Sequence, residues 1–138
     1  MISGDQVLPR ITSNVSVFPT EPESDPLADW LDSIDGIARR VPDDVLVLPS
    51  HNEPFRGLHS RLSQLNAWHE GVLGKLLEAL HRPKRAMDVF DVLFRRSVNP
   101  ALLGFATGEA LAHLNWLIHR RKAARELDAE GIAWYRSL

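Results

Sequence analysis

The feature that most constrains the fold is a short apolar run, Val45 to Leu48, which is closed by Pro49 and Ser50 and followed directly by His51. The run is short and partly β-branched, which is typical of an interior strand of a parallel sheet. Functional groups of α/β folds lie at the carboxyl ends of such strands. The sequence therefore predicts that His51 stands at the tip of a buried strand.

The residues before this run predict a strand, a helix and a loop-rich connector. Met1 to Gly4 predicts a first strand, and Asn14 to Phe18 a second, short one. Asp25 and Pro26 supply a helix N-cap and a first-turn proline, and apolar residues then recur at helical spacing as far as Val41. Residues 1–50 thus predict part of an α/β layer that cannot close a core alone.

The residues after His51 predict three helices and a hairpin. Apolar positions at helical spacing indicate a long helix from Leu58 to His81 and a shorter one from Ala86 to Arg95. Asn99 and Pro100 cap a third helix. The last predicted element is a β-hairpin, with strands at Ala123 to Leu127 and Ile132 to Tyr135 around a glycine-containing turn.

Composition limits the chemistry that the chain can carry. The 138 residues include no cysteine, so disulfides, thiolate zinc sites and cysteine nucleophiles are excluded and metal ligands must come from His, Asp or Glu. No stretch approaches the roughly 18 apolar residues of a membrane span, and no signal peptide is indicated. We expect a soluble cytoplasmic protein without membrane partners.

Two motifs resemble the metal-ligand motifs of metallo-β-lactamase-fold hydrolases. The strand that ends in Leu-Pro-Ser-His51-Asn is similar to the family's last ligand motif, usually of the Pro-Gly-His-Gly type, although Ser50 and Asn52 stand where glycines are usual. Upstream, Ser-Gly-Asp5 resembles the Gly-Asp strand end whose aspartate bridges two metal ions. The resemblance implies that Asp5 and His51 are metal ligands.

The same resemblance implies a hydrolase function, and it also shows that one of the family's metal-ligand motifs is missing from this chain. Relatives use two divalent metals, usually zinc, to hydrolyse small-molecule esters, thioesters or lactones, and their His-x-His-x-Asp-His motif precedes the Gly-Asp strand. This chain begins three residues before Gly4 and contains no such motif. We expect the C-terminal portion of a metal-dependent hydrolase, inactive by itself and associated either with a second copy or with the missing N-terminal half.

Three helices followed by a hairpin are the element order of a winged helix-turn-helix. Many metallo-β-lactamase-fold hydrolases of the lactonase, thioesterase and endoribonuclease-like branch carry such a domain after the last ligand histidine. The expected fold class is therefore a partial α/β metallo-β-lactamase αββα sandwich in residues 1–57, followed by a helical linker and an α+β winged-helix domain in residues 58–138.

A second interpretation assigns the function to the winged helix, as a DNA-binding regulator or a protein-interaction adaptor. Basic residues could then meet phosphates. The third predicted helix, however, offers few groups that could read base edges before Arg120, so nucleic-acid binding is not favoured. The basic candidates are Arg82, Lys84, Arg85, Arg95, Arg96, Arg120, Arg121, Lys122 and Arg125.

The five histidines other than His51 are interpreted as surface residues.

Overall fold

The computed structural model of the chain describes residues 1–95 and 97–138. The fold is a mixed α/β arrangement with two compact units. The first comprises residues 1–14 and 28–69, and the second comprises residues 15–27 and 70–138. The units are interleaved along the chain.

The observed order of helices and strands agrees closely with the order predicted from the sequence. The strands are β1 (Ile2–Gly4), β2 (Leu48–Pro49), β3 (Ala123–Leu127) and β4 (Ala133–Ser137). The helices are α1 (Pro26–Arg40), α2 (Leu58–Ala79), α3 (Phe90–Leu93) and α4 (Leu103–His119). Two 3₁₀ turns, Ala86–Val89 and Pro100–Leu102, lead into α3 and α4. None of these helices combines the length and apolarity that crossing a membrane requires.

In the first unit, β1 and β2 pair in parallel. The amide of Leu48 donates to the carbonyl of Met1 at 2.8 Å, and the amide of Ser50 donates to the carbonyl of Gly4 at 3.0 Å. The parallel pairing before His51 agrees with the sequence prediction. The prediction of a buried strand from Val45 to Leu48 is wrong, because only two residues pair with β1 and the Leu48 side chain is exposed.

The core of the first unit draws on its loops, helices and strands. Its apolar residues come from the loop after β1, from the inward faces of α1 and α2, and from the residue before β2. They are Val7, Leu8, Trp30, Ile34, Val47, Leu58, Leu62 and Leu65. His69 is also buried here and packs edge-on against the rings of Trp30 and Trp68, with centroid distances of 5.0 and 4.7 Å.

The second unit is built on α4 and the β3–β4 hairpin. The two strands are antiparallel and pair from Ala123 with Ser137 to Leu127 with Ala133, which confirms the predicted hairpin. Gly131 takes a φ of +79° in the turn, and the Asp128 carboxylate accepts hydrogen bonds from the amides of Glu130 and Ile132. The glycine is required there because other residues seldom adopt this conformation.

Two predicted elements of the second unit differ from the structure. The helix expected from Ala86 to Arg95 is reduced to one 3₁₀ turn and α3, which ends at Leu93 where Phe94 becomes extended. The strand expected at Asn14 to Phe18 is not formed. The amide of Val17 instead donates to the carbonyl of Gly108 in α4 at 3.0 Å, so this segment finds its partner on a helix rather than on a strand.

The ion pair between Arg85 and Asp88 gives the second unit a measurable acid sensitivity. Hydrogen bonds from the side chain and amide of Arg85 lower the pKa of Asp88 from 3.8 to about 2. Since the folded-state pKa lies below the unfolded one, the stabilisation is complete above pH 3.8 and is lost as the pH falls through about 2. Asp88→Asn removes the ion pair and should lower Tm at pH 6. The decrease should be only about 2–4 °C, because the pair is solvent-exposed, and it should be smaller near pH 2. Calorimetry at both pH values measures this, and an equal change in Tm at both would contradict it.

Candidate metal centre

Asp5 and His51 meet at the carboxyl ends of the two parallel strands. The Nε2 atom of His51 lies 3.3 Å from Oδ1 of Asp5, although the two residues are 46 positions apart in the chain. Both side chains open to solvent, with exposed fractions of 69% for Asp5 and 61% for His51. The structure therefore brings the two predicted ligands together in one accessible place.

Two left-handed backbone positions hold this geometry. Gly4 has a φ of +53° and turns the chain at the end of β1 just before Asp5. Asn52 has a φ of +68° directly after His51. Asparagine adopts this conformation more readily than most residues, so it can make the turn for which the related motif uses glycine. The replacement noted in the sequence is thus compatible with the same loop shape.

Serine hydroxyl groups support the aspartate. The Ser50 hydroxyl donates to Oδ1 of Asp5, the same oxygen that faces His51. The Ser13 hydroxyl donates to the backbone carbonyl of Asp5. The Asp5 side chain and its peptide are therefore both held by neighbours, which restricts the carboxylate to the side of the strand ends where His51 lies.

Charged residues order the loops on either side of the pair. The Arg61 guanidinium donates to the carbonyls of Leu8 and Ile11, fixing the loop that follows Asp5, and partial burial lowers the pKa of Arg61. The Glu53 carboxylate accepts from Arg10, and this hydrogen bond lowers the pKa of Glu53. Glu53 thus pairs with Arg10.

The donor set fits a zinc ion in part. Two ligands held at about 2.0–2.2 Å by one tetrahedral zinc ion are separated by roughly 3.3–3.4 Å, which matches the separation of Nε2 and Oδ1. Catalytic zinc normally takes three protein ligands and a water molecule. Among residues 1–95 and 97–138, however, no group of three or more His, Asp or Glu side chains is placed to share a metal ion.

The remaining histidines have other partners, and two of them are not on the surface. His69 and His113 are both fully buried, contrary to the interpretation of them as surface residues. His113 Nδ1 donates to the carbonyl of Glu109 at 2.8 Å, and burial lowers the pKa of His113. His59 donates to the carbonyl of Val41, and His119 to that of Glu23. These positions follow from helix packing, which histidine spacing does not reveal.

A buried amide is the polar residue that the sequence did not single out. Asn115 on α4 is buried, and its Nδ2 donates to the carbonyls of Pro22 and Ser24 at 2.9 and 2.8 Å. It therefore satisfies two backbone acceptors of the connector before α1. The asparagine lies within an apolar helical stripe, and this position could have predicted its burial. A buried amide is normally hydrogen-bonded, so the same position also indicates hydrogen-bond partners.

Several of the basic residues considered for nucleic-acid binding form ion pairs within the second unit. Arg120 pairs with Asp25 at 2.8 Å and lies 4.0 Å above the Trp116 ring. Arg125 pairs with Glu23, and Arg85 with Asp88. Arg96, another candidate, lies outside the residues that the structure describes.

Residues 73–138 match the family described as metallo-beta-lactamase-like, C-terminal domain. No curated protein matches the chain. Two crystal structures are similar over 99% of the chain: a beta-lactamase domain protein from Burkholderia ambifaria, with 43% identity and a TM-score of 0.94, and a metallo-beta-lactamase family protein from Thermus thermophilus, with 28% identity and a TM-score of 0.83.

The chain spans 41% of the length of each of these two proteins. The strand ends that carry Asp5 and His51, the helices and the terminal hairpin all lie within the aligned span, because the alignment covers nearly the whole chain. The chain thus has the fold of the C-terminal part of metallo-β-lactamase superfamily proteins.

Proposed function

We propose that the chain is the C-terminal portion of a metal-dependent hydrolase in which Asp5 and His51 are metal ligands. The observation that carries this proposal is the 3.3 Å approach of His51 Nε2 to Asp5 Oδ1 at the ends of two parallel strands. Pairing of β1 with β2 places these two ligand-type side chains at the same end of the sheet. The likeness to metallo-β-lactamase family proteins over 99% of the chain supports the same assignment.

Each residue has a distinct part in the proposed site. His51, through Nε2, and Asp5, oriented by Ser50, would hold the metal centre. Bound zinc would supply the activation of water that hydrolysis of an ester, thioester or lactone needs. Because this chain offers two ligands in the described residues, we expect the isolated chain to show no hydrolysis.

The C-terminal helices and hairpin are proposed to form a winged-helix module with a packing or interface role. The order of α3, α4, β3 and β4 supports this assignment. The ion pairs of Arg120 and Arg125 favour it over DNA binding, since a guanidinium already paired with a carboxylate is less available to phosphates.

A chimera tests the proposed ligand roles. Residues 1–138 would replace the corresponding 41% of the Burkholderia ambifaria protein, so that the preceding part of that protein is present. We expect the chimera to retain zinc after desalting and to hydrolyse members of a panel of esters, thioesters and lactones. Asp5→Ala and His51→Ala should each lower kcat/KM by about 100-fold or more and reduce bound zinc.

The matched control is His81→Ala, which removes an exposed imidazole from the second unit and should leave both zinc and activity unchanged. Two results would reject the proposal. One is a folded chimera that neither binds zinc nor hydrolyses any substrate of the panel. The other is an active chimera whose activity and zinc content do not respond to Asp5→Ala or His51→Ala.

A further inference from the structure

We infer that the C-terminal end of α4 is a docking surface for an acidic segment of another protein, and that Arg121 and Lys122 are its binding groups. Both residues lie in the second unit, in the turn between α4 and β3. The docking surface is independent of the proposed metal centre. It gives a role to two basic residues that the proposed function leaves without one.

Helix α4 ends in a motif that normally uses glycine. The amide of Arg121 donates to the carbonyl of Ile118 at 2.8 Å, and the amide of Lys122 donates to the carbonyl of Leu117 at 2.9 Å. These two hydrogen bonds form a Schellman motif, in which the residue after the helix cap is left-handed and is usually glycine. Arg121 occupies this position, with a φ of +54°.

An arginine in this conformation lowers the stability of the helix end, because its Cβ atom crowds the backbone. In the described residues the other non-glycine residue with a positive φ is Asn52, and asparagine tolerates this conformation better. The conformation of Arg121 is set by hydrogen bonds within residues 117–122, so it holds whatever precedes or follows residues 1–138. Backbone strain of this kind points to a function of the side chain that offsets its cost.

The cations at this helix end differ in what they contact. Arg120 pairs with Asp25 at 2.8 Å, and its guanidinium lies 4.0 Å from the centre of the Trp116 ring. Lys122 Nζ lies 5.5 Å from the centre of the same ring. In the described parts of the chain no carboxylate pairs with Arg121 or Lys122, and both are exposed. Since Arg120 already supplies the positive charge that favours a helix C-terminus, the other two cations are available to an external anion.

The same end of the second unit already binds one acidic segment, residues 22–25 of the chain itself. Asn115 and His119 donate to backbone carbonyls of this segment. Arg120 and Arg125 each pair with one of its carboxylates at 2.8 Å. The chemistry of this surface is therefore suited to carboxylate side chains on an extended backbone. The two unpaired cations add charge beside it, which fits a further segment with two or more carboxylates.

A nucleic acid and a membrane both fit this surface less well. Most residues of α4 between Ala106 and Leu117 are buried, so the helix cannot enter a groove of a duplex. The nearby Trp116 ring is half-buried and contacted by Arg120, so it offers no open platform on which a base could stack. Anionic lipid surfaces are bound by clusters of roughly four to eight basic residues, whereas this helix end offers Arg121 and Lys122.

The experiment measures peptide binding and stability together, on the 138-residue chain and on the chimera described above. A hexaglutamate peptide would be titrated into isotope-labelled protein at roughly 50 mM salt, with amide shifts followed by NMR and hexaglutamine as the uncharged control. We expect hexaglutamate, and not hexaglutamine, to shift the amides around Arg121. This binding should weaken as salt is added, because salt screens exposed charges.

Arg121→Gly should have two opposite effects. It should raise the Kd for hexaglutamate about three- to fivefold, because one exposed ion pair is lost, and raise Tm by about 2–4 °C, because glycine relieves the backbone strain. Arg121→Lys keeps both the charge and the strain, so Kd should stay within about twofold. Adding Lys122→Gln to Arg121→Gly should raise Kd about tenfold or more. Arg39→Gln, which removes an exposed cation from the first unit, is the matched control and should leave Kd unchanged.

Several results would overturn the inference. A fall in Tm for Arg121→Gly would mean that the arginine serves to stabilise the helix end. Absence of hexaglutamate binding, or a Kd that Arg121→Gly leaves unchanged, would mean that this charge binds no acidic segment. Binding by the chain that a folded chimera lacks would mean that the surface is covered in the longer protein. Tighter binding of a single-stranded oligothymidylate or of phosphatidylserine vesicles, with the same dependence on Arg121, would assign the surface to a nucleic acid or a membrane.

Discussion

Asn115→Asp is expected to destabilise the chain by about 3 kcal/mol or more at pH 7, because it places a charge where two backbone carbonyls already converge. The Asn115 side chain is 2% exposed and donates to the carbonyls of Pro22 and Ser24. A carboxylate cannot donate to either acceptor and is repelled by both. Burial and the two carbonyls will raise the pKa of the introduced carboxyl group in the folded state.

The sign of the pH dependence follows from that raised pKa. Below the unfolded-state pKa of about 4 the introduced carboxyl is protonated in both the folded and the unfolded state. The loss in free energy of unfolding relative to the unmodified chain is therefore smallest there. This loss grows as the pH rises from about 4 towards the folded-state pKa of the carboxyl. Urea denaturation followed by circular dichroism at pH 4 and pH 7 measures it.

Asn115→Leu is the control for the hydrogen bonds alone. It keeps a side chain of similar size, removes both donated hydrogen bonds and introduces no charge. We therefore expect the free energy of unfolding to fall by about 1–3 kcal/mol, without the pH dependence that the carboxyl group of Asn115→Asp introduces. Equal losses for the two variants at pH 7, or a deficit of Asn115→Asp that does not change between pH 4 and 7, would contradict the prediction.

Gly108→Ala is expected to destabilise the second unit by up to about 2 kcal/mol, although alanine is the better helix former. A Cβ atom at Gly108 would lie 2.9 Å from Ser16 Cβ and 3.1 Å from the Val17 carbonyl oxygen. Overpacking of this kind costs about 1–3 kcal/mol, and the helix gains roughly 1 kcal/mol from alanine, so the net loss is up to about 2 kcal/mol. The clash also strains the hydrogen bond from the Val17 amide to the Gly108 carbonyl.

Gly74→Ala provides the matched substitution with the opposite expected sign. Gly74 lies inside α2, and a Cβ atom there meets nothing within 4 Å. We expect a gain of about 0.5–1 kcal/mol from the reduced freedom of the unfolded chain. Chemical denaturation of both variants decides between the two effects. If Gly108→Ala stabilised the chain as Gly74→Ala is expected to do, the close approach of the Val15–Val17 segment to α4 would be refuted.

Helices α1, α2 and α4 and the hairpin were predictable because their signals are local. The Pro26 start of α1, the Asn99 cap before the last 3₁₀ turn and α4, and the Gly131 turn each depend on a few neighbouring residues. Hydrogen bonds within a helix or across a short hairpin offset the conformational entropy lost on ordering nearby residues, and they need no distant partner. Where the partner was distant, as for Val17 on α4, the strand prediction failed.

The sequence by itself determined the chemistry available to this protein: no cysteine, an aspartate after a glycine, and a histidine at the end of a short apolar run. The tertiary structure alone decided that Asp5 and His51 lie 3.3 Å apart, that Glu53 pairs with Arg10, and that Asn115 is buried. The physical reason is that these facts depend on pairing between strands and packing between helices that are far apart in the chain. Such contacts are fixed by the closure of the whole fold and not by local conformational preference.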